Sequence, residues 1–323
     1  MGLARVIISM VKSFTGMFPM VELYEVKELD VPDVDKIIIS TTSTSVNLLP
    51  SDQEKITVEL KGQVNKKLSD TIFLDVRLEN NSAKINVARK SHSFIFGFFM
   101  DRSKVNVYFP QKWYKKIDVN TKSGCIEGKR LTADILSLKT SSGSIRVNDA
   151  EANSECSFKA SSGSVHVNDL LSSSDISVQT FSGGIRASHI QSGSKLEMKA
   201  RSGGLDVQEL TAKNLSLSTS SGSIKIRDVH GALKAETSSG SIKARNDHIE
   251  GEWKLRTSSG SVSVQLDHPD SLLVQFKGNS GSSNISLEEM ECQSKTKNSF
   301  IGKIGAGENK LTVRTNSGCF RLN

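Results

Sequence analysis

The stretch "TSSGSIRVND" at Thr140 returns as "ASSGSVHVND" at Ala160, "TSSGSIKIRD" at Thr219, "TSSGSIKARND" at Thr237 and "TSSGSVSV" at Thr257. Serine beside glycine can cradle a phosphate on backbone N–H groups or present a nucleophile on a sharp turn. A phosphate loop needs a lysine after the glycine and a helix beyond it. A nucleophile elbow needs G-x-S-x-G between strand and helix, and a Ser/His/Asp set formed once. None of the glycines is followed by such a lysine, and each pair lies between two alternating apolar runs. The calcium-binding G-G-x-G-x-D nonapeptide is absent as well. The pairs therefore read as structural corners, at Gly124, Gly143, Gly163, Gly183, Gly203, Gly222, Gly240, Gly260, Gly281 and Gly318.

Other chemistry recurs around these corners. Asp149, Asp169 and Asp228 fall six residues after a corner glycine and Asp247 falls seven after, with Asn148 and Asn168 preceding two of them. Carboxylates brought together on adjacent coils could serve hydrolysis or bind a cation. Asn-Asp is also turn chemistry, and that is the preferred reading. Four residues before the glycine stand Lys139, Lys159, Lys199, Arg256, Lys277 and Arg314, interrupted by Gln179, Ser218 and Glu236. Three after it stand Arg146, His166, Arg186, Lys225, Lys243 and Arg321, interrupted by Asp206 and Ser263. Stacked at the strand spacing, these rows form two basic stripes able to meet a linear polyanion, with solvated charge that discourages lateral association as the plainer alternative. The candidate binding set is Lys139, Arg146, Lys159, His166, Arg186, Lys199, Lys225, Lys243 and Arg256. No aromatics interleave with the rows, which argues against nucleic acid. His166, His189 and His230 sit singly at different offsets, so no metal site, catalytic set or cofactor is expected.

The elements that position these residues follow from spacing. The first nine corner glycines are 18 to 21 residues apart. A period of that length marks a solenoid in which each unit buries its apolar face against its neighbours. Ile145 and Val147 follow Gly143 at two and four residues, and Leu136 and Leu138 precede it at seven and five; the other units repeat the pattern. Strict alternation on both sides of the corner means two short half-buried strands per unit. A single-layer meander would leave its apolar face uncovered, whereas a parallel β-solenoid wraps it inward. The expected fold is all-β, a right-handed single-stranded parallel β-helix of about 20 residues per coil, spanning residues 35–323 as one domain. The longer gap before Gly318 implies an insertion near "NSFIGKIGAGE".

Residues 1–34 read as a separate amphipathic segment. Leu3, Ile7, Met10, Phe14 and Phe18 are near helical spacing, which suits a short helical cap on the first coil or, through residues 3–18, a membrane-surface contact. The "HSFIFGFFMDR" stretch, with Phe94, Ile95, Phe96, Phe98, Phe99 and Met100, poses a like choice between core and exposed contact patch.

Composition fits this picture. Of 323 residues 36% are apolar and only 6% aromatic, so the core is built from small aliphatic side chains. The net charge of +7 favours acidic partners. The four cysteines, Cys125, Cys156, Cys292 and Cys319, show no CxxC and read as free thiols. No run approaches the length of a spanning helix, and Val6 stands where a myristoylation motif needs Ser or Thr. With no signal-peptide pattern either, the chain is expected in the cytoplasm or at the membrane periphery.

The repeated φ-x-φ-x-T-x-S-G-S-φ-x-φ units, introduced by "VNVYFPQKWYKKIDVNTKSG" and closed by "GAGENKLTVRTNSGCFRLN", resemble the bacterial "putative adhesin" β-strand-repeat family over residues 35–323. The resemblance implies a right-handed single-stranded β-helix and, in some members, a role in cell-envelope stress responses. Together with the basic rows, it points to a non-enzymatic scaffold whose partner is an anionic envelope polymer or another protein. A carbohydrate-active β-helix enzyme is the alternative, and such an enzyme should break its repeat with a local cluster of carboxylates.

Overall fold

Alternation of apolar and polar residues becomes strand nearly everywhere. The computed structural model describes residues 5–14, 20–30, 34–69, 71–89 and 102–323, which cluster into two units, Met1–Gly163 and Ser164–Asn323. The first holds β1 (Arg5–Phe14), β2 (Met20–Asp30), β3 (Lys36–Thr41), β4 (Ser45–Ser51), β5 (Lys55–Asn65), one helical turn α1 (Lys66–Ser69), β6 (Ile72–Glu79), β7 (Ser82–Arg89), β8 (Lys104–Pro110), β9 (Tyr114–Thr121), β10 (Ile126–Thr140) and β11 (Ile145–Ala160).

Parallel pairing stacks these strands corner over corner. β3 lies between β7 and β9, β4 lies between β8 and the start of β10, and β10 pairs along its length with β11. In-register partners form apolar columns. Val105, Val46, Ile126 and Ile145 make one column, and Ile85, Ile39, Val119, Leu138 and Phe158 make another, all buried. Each fully buried aliphatic or aromatic side chain contributes about 1.5–3 kcal/mol, so one column outweighs any surface ion pair on the same strands.

The N-terminal segment differs from the expectation of a helical cap. Arg5–Phe14 is a strand, antiparallel to β2 with a bulge between Val6 and Ile8. Val6, Ile7, Ile8 and Val11 are β-branched, which disfavours helix, and the edge of β2 supplies partners for their backbone groups. The stack end is covered by strands instead. β2 pairs antiparallel with β5, β5 with β8, and β6 with β7. Leu3, Phe18 and the cluster Phe94, Ile95, Phe96, Phe98, Phe99 and Met100 lie outside the described residues.

The second unit holds β12 (Val165–Ser172), β13 (Ile176–Thr180), β14 (Ile185–Ser192), β15 (Lys195–Ala200), β16 (Leu205–Thr219), β17 (Ile224–Thr237), β18 (Ile242–Asn246), β19 (Glu252–Thr257), β20 (Val262–Leu266), β21 (Leu272–Gly278), β22 (Ser283–Ile285), β23 (Glu291–Lys295), β24 (Ser299–Ile304), β25 (Asn309–Thr315) and β26 (Phe320–Leu322). Its columns run Val165, Ile185, Leu205, Ile224, Ile242, Val262, Phe320 on one side of the corner. On the other side they run Ile176, Leu196, Leu215, Leu233, Trp253, Leu311, Val274.

Stack order departs from chain order at the end of this unit. β25 lies between β19 and β21, and β26 between β20 and β22, so the last strands of the chain sit inside the stack. Phe320 stacks on Phe276 with ring centroids 5.5 Å apart. The residues between Ile285 and Asn309 supply β24, antiparallel on β21, and β23, antiparallel on β24, which cover that end. Among the described residues no helix is long and apolar enough to cross a membrane.

Candidate functional site

The corner is built by Gly and by the Thr three residues before it. A Cβ on Gly143 would lie 1.9 Å from the Gly124 carbonyl oxygen, and one on Gly260 would lie 1.9 Å from that of Gly240. Only a residue without a side chain lets one turn lie on the next at that distance. Thr140 Oγ1 accepts from the Gly143 N–H at 3.0 Å and donates to the Gly124 carbonyl at 3.0 Å, tying each corner to itself and to its neighbour. Thr219, Thr237, Thr257 and Thr315 repeat both bonds, and Thr180 accepts from Gly183. These threonines are buried, and their bonds satisfy backbone groups that are buried at Gly143, Gly240, Gly260 and Gly318 and half-buried at Gly183, Gly203 and Gly222. Ala160 and Ala200 occupy the same position without a hydroxyl.

Six residues after the glycine the backbone turns again. Arg130 and Asp149 in the first unit, and Asp169, His189, Glu209 and Asp228 in the second, all have φ between 47° and 61°. Asp tolerates this left-handed conformation better than most residues, which accounts for the recurrent acids as turn residues. The sequence shows only the Asp members of this column, because Arg130, His189 and Glu209 share its geometry without sharing its usual chemistry. Along it, His189 lies between Asp169 and Glu209, with Nδ1 3.4 Å from Asp169 and Nε2 3.1 Å from Glu209.

The basic rows stand where in-register pairing puts them. In the first unit Lys139 is opposite Lys159, and Arg146 is opposite Glu127 and paired with it at 2.8 Å. In the second unit the row after the glycine runs His166, Arg186, Asp206, Lys225, Lys243, Ser263, Arg321. The row before it runs Gln179, Lys199, Ser218, Glu236, Arg256, Arg314, Lys277. The intercalated last strand thus brings three exposed cations together, with Arg314 between Arg256 and Lys277. No carboxylate pairs with any of the three among the described residues. Like charges directly opposite on neighbouring strands are destabilising, so this arrangement favours an anion across them.

Two cavities flank the corners of the second unit. One, of about 280 Å³, is lined by the backbone of Gly184 and Gly204 and by His166, Arg186, Asp206 and Lys225. The other, of about 360 Å³, lies between Lys199 and Arg256 over Ser220, Ser238 and Ser258, with Glu236 on its wall. Each contains a single carboxylate, one fewer than acid–base hydrolysis of a glycosidic bond uses. Among the described residues no three His, Cys, Asp or Glu side chains converge as a bound metal would require. All four cysteines are free, and burial raises the Cys156 thiol far above its usual range.

Fold and surface together define an all-β, solenoid-like repeat protein with glycine corners and cation-lined flanks. The chain belongs to the Toastrack DUF4097 family, whose model matches residues 34–170 and again 154–323. Among solved structures it is similar to a "putative lipid binding protein" from Parabacteroides distasonis, at 16% identity with a TM-score of 0.42, covering 93% of this chain and 97% of that one. It is also similar to a "putative adhesin" from Bacteroides fragilis, at 12% identity with a TM-score of 0.37, covering 92% and 96%. A third is a "putative cell adhesion protein" from Clostridium sporogenes, at 10% identity with a TM-score of 0.21, covering 93% and 97%. No curated protein matches the chain.

Proposed function

We propose that the protein is a non-enzymatic, adhesin-like scaffold of the bacterial cell envelope or its stress response, which holds an anionic envelope polymer along its basic rows. The solenoid is right-handed and single-stranded, with steps of 20 residues at Val165, Ile185 and Leu205, and it works in the cytoplasm or at the membrane periphery. The observation that carries this reading is the run Arg256, Arg314, Lys277, three exposed cations on successive strands without a carboxylate partner among the described residues. At a spacing of ~4.8 Å they match a chain of closely spaced negative groups better than a single small anion.

The test is binding of poly(glycerol phosphate), with neutral dextran as control, measured at increasing salt. Wild type should bind the polyanion with an affinity that falls steeply with salt, and R256E/R314E/K277E should weaken it by at least ~10-fold, since ~1.4 kcal/mol corresponds to that factor. Undiminished affinity in a folded triple variant would refute the reading.

A further inference from the structure

The corner formed by the two coils that carry Gly184 and Gly204 departs from the repeat in a coordinated way. Directly after the corner glycine, Ser164, Ser223, Ser241 and Ser261 present a hydroxymethyl group, while Gly184 and Gly204 present nothing. The backbone does not demand this. A Cβ on Gly184 would meet its nearest atom at 3.2 Å and one on Gly204 at 3.0 Å, against 1.9 Å at the true corner residue Gly203, and neither Gly184 nor Gly204 has a positive φ. Serine would fit with a shift of a few tenths of an ångström. The two absent side chains instead open the 280 Å³ cavity, floored by backbone and the edges of Ile185 and Leu205.

The rim of that cavity is basic. Arg227 already holds Asp206 at 2.9 Å, while no carboxylate pairs with Arg186 or Lys225 among the described residues. Arg186 is exposed and free to turn its planar fork toward a carboxylate or phosphate. The same two coils also change two residues before the corner glycine, where Ser220, Ser238 and Ser258 stand in later coils. There Phe181 and Arg201 appear, the guanidinium 4.6 Å from the ring centroid, and Phe181 is 51% exposed. An exposed ring held by an arginine offers an apolar face to the C–H side of a sugar or polyol.

We infer that this corner is a discrete subsite for an anionic group, carboxylate or phosphodiester, borne on a short saccharide or polyol chain. The inference rests on the polyanion reading above and gives it a specific seat. The cavity is smaller than a drug-sized pocket and takes one or two units of such a chain.

The experiment titrates trigalacturonate, a glycerol phosphate trimer and maltotriose into wild type, G184S/G204S and Arg186→Ala, with circular dichroism as a fold check. Wild type should bind one or both acidic trimers and not maltotriose; which trimer binds distinguishes carboxylate from phosphodiester. Filling the cavity in G184S/G204S, and removing the fork in Arg186→Ala, should each weaken the acidic trimer by at least ~10-fold. Absence of acidic-trimer binding at millimolar concentration, equal binding of maltotriose, or wild-type affinity in both variants would overturn the subsite. Long poly(glycerol phosphate) separates the two proposals. If wild type binds the polymer while variants and wild type bind the trimer alike, the subsite falls and the basic rows stand. If the trimer depends on Gly184 and Gly204 while the polymer does not bind, the rows fall and the subsite stands.

Discussion

Threonine three residues before the corner glycine does two jobs with one hydroxyl, and its worth can be measured. In Thr219→Val the Gly222 N–H loses its acceptor at 3.3 Å and the Gly203 carbonyl loses its donor at 2.7 Å, both half-buried. Leaving such groups unsatisfied costs about 1–3 kcal/mol, whereas Thr219→Ser keeps the oxygen and should cost well under half of that. Ala200 offers the converse, because its position beneath Gly203 lacks the hydroxyl its neighbours carry. Ala200→Thr should raise stability by about 0.5–1.5 kcal/mol if the hydroxyl reaches the corner as Thr219 does. Urea unfolding midpoints of the three variants decide the matter; a destabilised Ala200→Thr would show that this corner is spaced differently from the others.

At the scale of elements, the connection after β18 departs most from a plain strand. Asn246 takes the position where earlier coils turn with positive φ, and its buried amide pairs with both main-chain groups of Val229, at 2.7 Å and 3.0 Å. Beyond it a surface chain of ion pairs runs His268, Asp247, His248, Glu250, His230, flanked by the Arg245–Asp267 pair and by Asp270. The hydrogen bond to Asp247 raises both His248 and His268 above the ordinary imidazole range, and the bonds from His268 and His248 hold Asp247 below the usual carboxylate range. Glu250 is lowered first by its hydrogen bond from His230. Raised histidines contribute stability that is complete below their unfolded value of about 6.5 and is lost as pH rises through the folded value. Lowered carboxylates contribute above about pH 4 and lose that contribution as pH falls through the folded value. The connection should therefore be tightest between these limits. Hydrogen exchange, corrected for intrinsic rate, should show protection of residues 247–251 falling as pH rises above the ordinary imidazole value of about 6.5, and His268→Ala should flatten that dependence. A pH-independent profile in wild type would sink the idea.

Much of this was readable beforehand. Alternation around Gly143 specifies two strands and a corner, and the corner glycines are where close approach requires them. The helical spacing of Ile7, Met10 and Phe14 misled because period alone cannot outweigh four β-branched residues beside an available strand edge. Of the left-handed column only the Asp positions could be read as turns, because Arg130, His189 and Glu209 are not turn-marking types, and the Gly184–Gly204 cavity was hidden because it depends on which side chains are stacked together.

At the scale of the whole chain, each unit hides a pair of strands one layer inside its stack. In the first unit β3 and β4, the earliest strands of the solenoid, sit between β7 and β8 on one side and β9 and β10 on the other. In the second, β25 and β26, the latest, sit between β19 and β20 and β21 and β22. A repeat of near-constant period is compatible with either order, so the inversion cannot be read from spacing. Its consequence is that the C-terminus is a keystone. A chain ending at Gly307 would lose Leu311, Val313, Phe320 and Leu322 from the buried columns and would leave the Val262 N–H without its bond to the Cys319 carbonyl at 2.9 Å. At about 1.5–3 kcal/mol for each buried side chain, the four together approach the 5–15 kcal/mol that holds an ordinary domain folded. Replacing residues 286–307, with the covering strands β23 and β24, by a short polar linker removes a larger piece of sequence but leaves the parallel columns continuous. The shorter deletion should therefore abolish cooperative unfolding of the second unit, and the longer one should only lower its midpoint, as followed by thermal denaturation and limited proteolysis. Equal damage from both would mean that the outer strands, and not the intercalated ones, hold this end together.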